Sequence, residues 1–308
     1  MRGVEEMEGK EKAGEGRKPE NDNYSLGVAF YRTDMFEKAL ECFRNSLDSP
    51  EVHENSLLYI GLIFSRRGDY ESASRYFKQL VEESPENIVA YNNLAVALEG
   101  MGMAREAELL YQEAQKISPL ASQILANRGI LKFRAGDYRQ ARDHLEQAIH
   151  LNREMPFALF YLGMTYLKLS MWDEAEESLE RGLELSPDSP ALLNNLGIIY
   201  KKAGDFQRAL RCSMRAIEVS TGLDSPYRNI DDIFCIIGEW EECRKQFDEA
   251  FPDPEKRAKY LLFLGDYYYR NREYDLAGQI WAHVLEIDPE NEVALEKMEG
   301  LRSPGTET

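Results

Sequence analysis

The chain has 308 residues, 43% of them hydrophobic and 11% aromatic, and a formal net charge of -18. That much apolar and aromatic material excludes a disordered chain, and the acid excess excludes the basic surface that nucleic-acid phosphates require. The cysteines Cys42, Cys212, Cys235 and Cys243 form no CxxC pair and have no histidine at ligand spacing, so they read as small buried hydrophobes, not as a zinc site or disulfide framework.

In chain order, residues 1–19 are charged, Gly-rich and without an apolar segment, which predicts a disordered tail and no secretory leader. From Glu20 a 34-residue frame runs eight times, to Asn291, without insertion or deletion. Its eighth position holds Gly27, Gly61, Ala95, Gly129, Gly163, Gly197, Asp231 and Gly265, and its twentieth holds alanine in every repeat except Cys243 in the seventh. Positions 4, 7, 8 and 11 share one face of a helix, and positions 17, 20, 24 and 27 share one face of a second. Glycine at position 15 (Gly68, Gly102, Gly136, Gly204, Gly238) suits the end of the first helix. Pro85, Pro119, Pro187 and Pro289 at position 32 stop the second helix. Helix pairs of this kind bury their apolar faces only against neighbouring pairs, which predicts an all-α solenoid with two open ends.

These residues resemble the tetratricopeptide repeat, whose pattern is W-x2-L-G-x2-Y, then A-x3-F, then P. Position 7 carries Leu26, Ile60, Leu94, Leu162, Leu196, Ile230 and Leu264, with Arg128 the exception, and position 11 is mostly aromatic. The resemblance implies an α-solenoid of eight helix-turn-helix repeats over residues 20–291, wound as a right-handed superhelix. It is specific for fold and hardly specific for function. Residues 292–302 repeat only the first-helix pattern and read as a capping helix, with Leu295 and Met298 inward and Lys297 outward, and 303–308 as a disordered tail. Repeat 7 departs most from the pattern. Asp231 and Cys243 break two small positions, and "FPDPEKRAKY" carries two prolines where the second helix should end. This predicts a loose helix pair or hinge, spread by the Asp231 charge.

In this family the first helices line a concave surface where extended peptides or partner helices lie. Position 6 on that face is Asn93, Asn127, Asn195 and Asn229. Their amides match the N–H and C=O of an extended peptide, and the row resembles the asparagine ladder in the tetratricopeptide domain of O-linked N-acetylglucosamine transferase. The bland alternative is that such asparagines are common in these repeats. Repeat 5 adds Phe157, Phe160, Tyr161 and Met164 on a face that the core does not use, which marks burial on both faces or a binding patch. Nine basic residues (Arg32, Arg66, Arg134, Lys168, Lys201, Lys202, Arg228, Lys259, Arg270) oppose Glu99, Asp232 and Asp266 on this face, an excess that would draw an acidic peptide. Seven of the nine sit in the last turn of a helix, where cations complement the macrodipole; Arg228 and Lys259 escape that explanation. The basic set that clamps a terminal carboxylate in chaperone-binding members is missing around Asn93 and Asn195.

The histidines His53, His144, His150 and His283 fall mostly on second helices or at repeat ends, and no P-loop, EF-hand loop or HExxH occurs. No apolar run approaches the length of a membrane span. The expectation is a non-enzymatic cytoplasmic scaffold without metal or cofactor, binding a protein or peptide segment, an acidic one included, along the concave groove. The alternative is an assembly or regulatory subunit that uses its convex face, its ends or its own copies.

Overall fold

The computed structural model describes residues 19–302 apart from Thr221. The expectations for the two tails lie outside the described residues, except that Pro19 already belongs to the first helix. Among the described residues there are 17 α-helices and no strand. The chain divides into two compact units, residues 1–165 and 166–308. The first holds α1 (Pro19–Arg32), α2 (Phe36–Asn45), α3 (His53–Arg66), α4 (Tyr70–Glu83), α5 (Ile88–Gly100), α6 (Ala104–Ile117), α7 (Ser122–Arg134), α8 (Tyr138–Leu151) and most of α9 (Pro156–Lys168). The second holds α10 (Trp172–Leu185), α11 (Pro190–Ala203), α12 (Phe206–Val219), α13 (Asp224–Ile237), α14 (Trp240–Ala250), α15 (Pro254–Arg270), α16 (Tyr274–Ile287) and α17 (Glu292–Arg302). Within each unit the odd-numbered helix packs on the even-numbered helix that follows it, as α3 does on α4 and α11 on α12.

Small residues at positions 8 and 20 let these pairs close. Ala39, Ala73, Ala107, Ala141, Ala175, Ala209 and Ala277 all have 0% exposure. Position 8 faces position 24 of its own repeat. A Cβ on Gly61 would lie 2.5 Å from the Phe77 ring, one on Gly129 would lie 2.6 Å from Leu145, and one on Gly27 would lie 2.8 Å from Phe43. The void left by a missing side chain is the space the large one occupies. Gly265 and Trp281 make the same exchange.

The turn between paired helices uses one left-handed residue in all eight repeats. Five are the glycines read from the sequence, with φ from 76° to 101°, and the others are Asp34 (57°), Ser170 (62°) and Arg272 (67°). Asp69, Asp137 and Asp205 then cap the second helix by accepting a backbone N–H three residues on.

Repeat 7 is loosened, for a different reason than its charge. Helix α14 stops at Ala250 before Pro252, Asp253 caps α15 by accepting the Lys256 N–H at 2.7 Å, and Pro254 occupies the first turn of that 17-residue helix. Only sparse contact joins α14 to α13; it rests also on α12, where the Gln207 amide donates to Glu249 at 2.8 Å. Asp231 does not spread the pair as an uncompensated charge. Its carboxylate accepts the Tyr267 hydroxyl at 3.0 Å and also the hydroxyl of Tyr268, so it fastens repeat 7 to repeat 8. Asp231→Gly or Asp231→Ala should therefore destabilise the chain by about 2–3 kcal/mol, since Tyr268 is buried and loses its acceptor. Urea unfolding of both variants checks this, and a gain in stability would mean the carboxylate is a burden after all.

Helix α17 also corrects its predicted register. Ala294 is fully buried and Lys297 reaches Asp266 at 2.7 Å, while Leu295 is 43% exposed. The inward face is rotated because α16 offers the small Gly278, against which Leu301 packs.

His53 fastens the start of repeat 2. Its Nδ1 lies 2.7 Å from the Leu47 carbonyl and its Nε2 lies 2.9 Å from the Glu83 carboxylate. Both partners only accept, so the geometry suits a doubly protonated ring. The backbone bond to Leu47, with help from Glu83, raises the His53 pKa above its ordinary value. The stabilisation is then complete below the ordinary histidine value of about 6.5 and is lost as pH rises through the raised value. His53→Gln should flatten the fall in Tm between mildly acidic and mildly alkaline pH. An unchanged pH profile would remove His53 as its cause.

Candidate partner-binding face

In the first unit, the inner-face amides make bonds within the protein. The Asn93 Nδ2 donates to the Val89 carbonyl at 2.8 Å. The Asn127 Nδ2 donates to the Asn92 Oδ1 at 2.6 Å, and the Asn127 Oδ1 accepts from Gln123 at 3.2 Å. In the second unit the same device returns. Asn195 donates to the Ala191 carbonyl at 2.8 Å, and Asn229 donates to the Asn194 Oδ1 at 3.0 Å. Asn195 and Asn229 are 9% and 5% exposed. The recurring "NN" pair is therefore a joint between successive first helices: the first asparagine accepts from the next repeat, and the second folds back on its own helix.

The cations named from the sequence are mostly compensated where they stand. Arg134 donates to Glu99 at 2.8 Å and also hydrogen-bonds Tyr161. Lys201 reaches Asp232 at 2.5 Å and the Asn229 Oδ1 at 3.3 Å. Lys259 meets Glu218 at 2.6 Å, and Arg66 meets Asp34 at 3.1 Å. Lys202 lies 3.5 Å over the Trp172 ring, and Arg66 stacks on Tyr31 at 4.6 Å and Phe36 at 5.9 Å. Position 13 of one repeat thus covers the aromatic at position 17 of the repeat before, a cation–π contact that the macrodipole argument alone does not contain. Arg228 is 72% exposed and 3.9 Å from Asp224, and Lys168 is exposed.

The aromatic group on α9 stays together and partly open. Phe157 is 51% exposed, and Phe160, Tyr161 and Met164 are half-buried. Ring centroids of Phe157 and Phe160 lie 4.9 and 5.3 Å from that of Tyr161, and Phe133 of α7 meets Tyr161 edge-on at 5.5 Å. Edge-to-face packing of this kind holds the rings in fixed orientation. Behind them the Tyr111 hydroxyl donates to Glu99 at 2.7 Å, the same carboxylate that Arg134 grips. Burial raises the Glu99 carboxyl above its ordinary pKa despite these two donors.

Sequence reading missed one polar cluster, although Arg128 flagged it by breaking the position-7 rule. Arg128 donates to Glu108 at 2.6 Å and to Gln115, and Lys132 lies 3.5 Å from the same carboxylate. The side chains of Arg128 and Glu108 are 13% and 14% exposed. His144 lies alongside, its pKa lowered first by burial and then by Arg128. Among the described residues no group of His, Cys, Asp and Glu is arranged to hold a metal ion, and no helix is long and apolar enough to cross a membrane.

Family models match this architecture. The tetratricopeptide repeat model matches residues 24–88 and 58–122, and the model of the middle TPR-like domain of cilia and flagella-associated protein 70 matches residues 91–220. The chain is a tetratricopeptide repeat protein. Human tetratricopeptide repeat protein 13 is 22% identical over 47% of this repeat chain and 17% of its own length. The BBSome complex member BBS4 of Bos taurus is 27% identical over 49% of the chain and 30% of its own length. The chain therefore spans less than a third of these relatives. Pseudomonas aeruginosa pilF, a solved structure, superposes with a TM-score of 0.51 at 18% identity, covering 80% of this chain and 96% of that one, which shows the shared helical-repeat fold. Tetratricopeptide repeat proteins mediate protein–protein interaction and complex assembly.

Proposed function

We propose that this protein is a non-enzymatic, cytoplasmic scaffold that binds a segment of a partner protein along the face of its first helices. The observation that carries the reading is the partly open aromatic group Phe157, Phe160, Tyr161 and Met164 on α9, a helix whose opposite face, with Leu159 and Leu162, is already buried in the core. A helix apolar on both faces needs a second cover, and aromatics held rigidly at a surface are the usual anchors of an interface. In the same unit as this group, Asn93 and Asn127 keep hydrogen-bonding capacity beyond their internal bonds, and within the second unit Asn195 and Asn229 would offer the same.

Affinity capture from native lysate tests the reading with three variants. Phe157→Ala with Phe160→Ala should lose the captured partner, the fourfold Asn→Ala variant should weaken it, and Glu177→Ala, on exposed α10 surface, should retain it. Capture that survives both inner-face variants but is lost at Glu177 would move the function to the other side. That result would favour an assembly subunit, the role suggested by the name of the relative BBS4 as a member of a complex.

A further inference from the structure

We infer that the joint between repeats 3 and 4 is a pH-sensitive device: a proton taken up by His144 sets a third cation against the single carboxylate of Glu108 and loosens α7 and α8 from α6. The inference is independent of the inner-face reading. Positions 7 and 11 of the frame face the core, and in repeat 4 they hold Arg128 and Lys132. In the other seven repeats these positions hold leucine, isoleucine or an aromatic residue. Two cations one turn apart on the core side of α7 are nothing that packing asks for.

Both cations reach one carboxylate oxygen of Glu108 on α6, Arg128 at 2.6 Å and Lys132 at 3.5 Å. Gln112, one turn along α6, donates to the same oxygen at 3.0 Å, and Arg128 donates also to Gln115. Polar contacts thus stand where apolar burial closes the other joints, and α6 meets α7 more sparsely than α4 meets α5. A joint closed by charges of this kind is open to disturbance by one more charge. The half-buried His144 on α8 is placed to supply it.

The charges acting on His144 are Arg128 and Lys132 of α7, Glu108 of α6 and Asp143 of its own helix. Glu108 is already shared by the two cations, and the exposed Asp143 is held by Arg142 at 2.7 Å. Among the described residues the buried Nδ1 of His144 has no hydrogen-bond partner, so a proton arriving there gains no bond. Burial first, and then Arg128, lowers the His144 pKa. Its contribution to stability is therefore complete above the ordinary histidine value of about 6.5 and is lost as pH falls through the lowered value. Glu108 keeps its charge in that window: burial works against it, but Arg128 and Gln112 hold its carboxyl below the ordinary value. Two other groups act in the opposite sense. His53 is raised, and so is Glu99, which holds Arg134 across the same joint, so acid favours their closed contacts.

Amide hydrogen exchange of the full chain at about pH 7.5 and about pH 5.5, expressed as protection factors, tests this together with an NMR titration of the His144 ring. The ring should titrate below about 6.5. Protection in α6, α7 and α8 should fall at least about threefold on acidification, the effect of about half a pKa unit, while α3 and α4 around His53 show no such fall. In His144→Gln, which keeps a polar side chain but takes up no proton, protection of α6 to α8 should no longer fall. A ring that titrates at or above about 6.5, a joint whose protection holds at the lower pH, or an equal fall in His144→Gln would each overturn the inference. The ring titration uses the unaltered chain, so it decides the matter even where the variant fails to fold.

Discussion

Glu108→Ala should destabilise the chain by about 3–5 kcal/mol, because it leaves Arg128 charged and mostly shielded from water without its carboxylate. Arg128 and Glu108 are 13% and 14% exposed, and among the described residues the guanidinium has only Gln115 besides. Lys132 is less affected, since at 22% exposure its ammonium can reach water. The double change Arg128→Leu with Glu108→Leu restores the leucine that the other repeats favour at position 7. It should be neutral or stabilising by about 1–4 kcal/mol, as replacing a whole buried pair often is. Urea unfolding of the two variants separates these outcomes. A Glu108→Ala cost below about 1 kcal/mol would show that the pair behaves as a surface ion pair.

The exchange of volume between positions 8 and 24 supplies the second large effect. Phe77→Ala should cost about 3–5 kcal/mol, since the ring is 1% exposed and its removal leaves a cavity. Gly61→Ala should cost about 1–3 kcal/mol, because the new Cβ would sit 2.5 Å from that ring. Together they should cost less than the sum by at least about 1 kcal/mol, as the smaller residue at 77 admits the methyl group. Additive costs would mean that the two positions do not share one space.

Much of the fold was legible because packing in a repeat is local. A small residue opposite a large one, a left-handed turn and a proline stop act within one frame, so the spacing of Gly61, Gly68, Ala73 and Pro85 already states the geometry. The failures came where a side chain reached into the next frame. Asp231 looked like a misplaced charge until Tyr267 and Tyr268 of the following repeat were seen to donate to it. Arg134 and Lys201 read as last-turn cations complementing a helix macrodipole, and the structure adds their carboxylates on neighbouring repeats. The doubled asparagines likewise pair across one frame, Asn92 with Asn127 and Asn194 with Asn229. Leu295 misled for another reason: α17 is held through Lys297 to Asp266 of α15 and through Leu301 against Gly278 of α16, contacts that its own residue pattern did not state. Of the candidate site, the spacing placed the four residues of α9 on one face but left open whether that face is buried, and it did not show which polar groups around it are engaged.

The central claim is that partners are taken up on the first-helix face at α9. A photo-crosslinking residue placed at Phe157, with a second placed at Glu177 as the control, tests it most directly in native lysate. The account predicts a covalent partner adduct from position 157 and none from position 177. Adducts from 177 alone would contradict it.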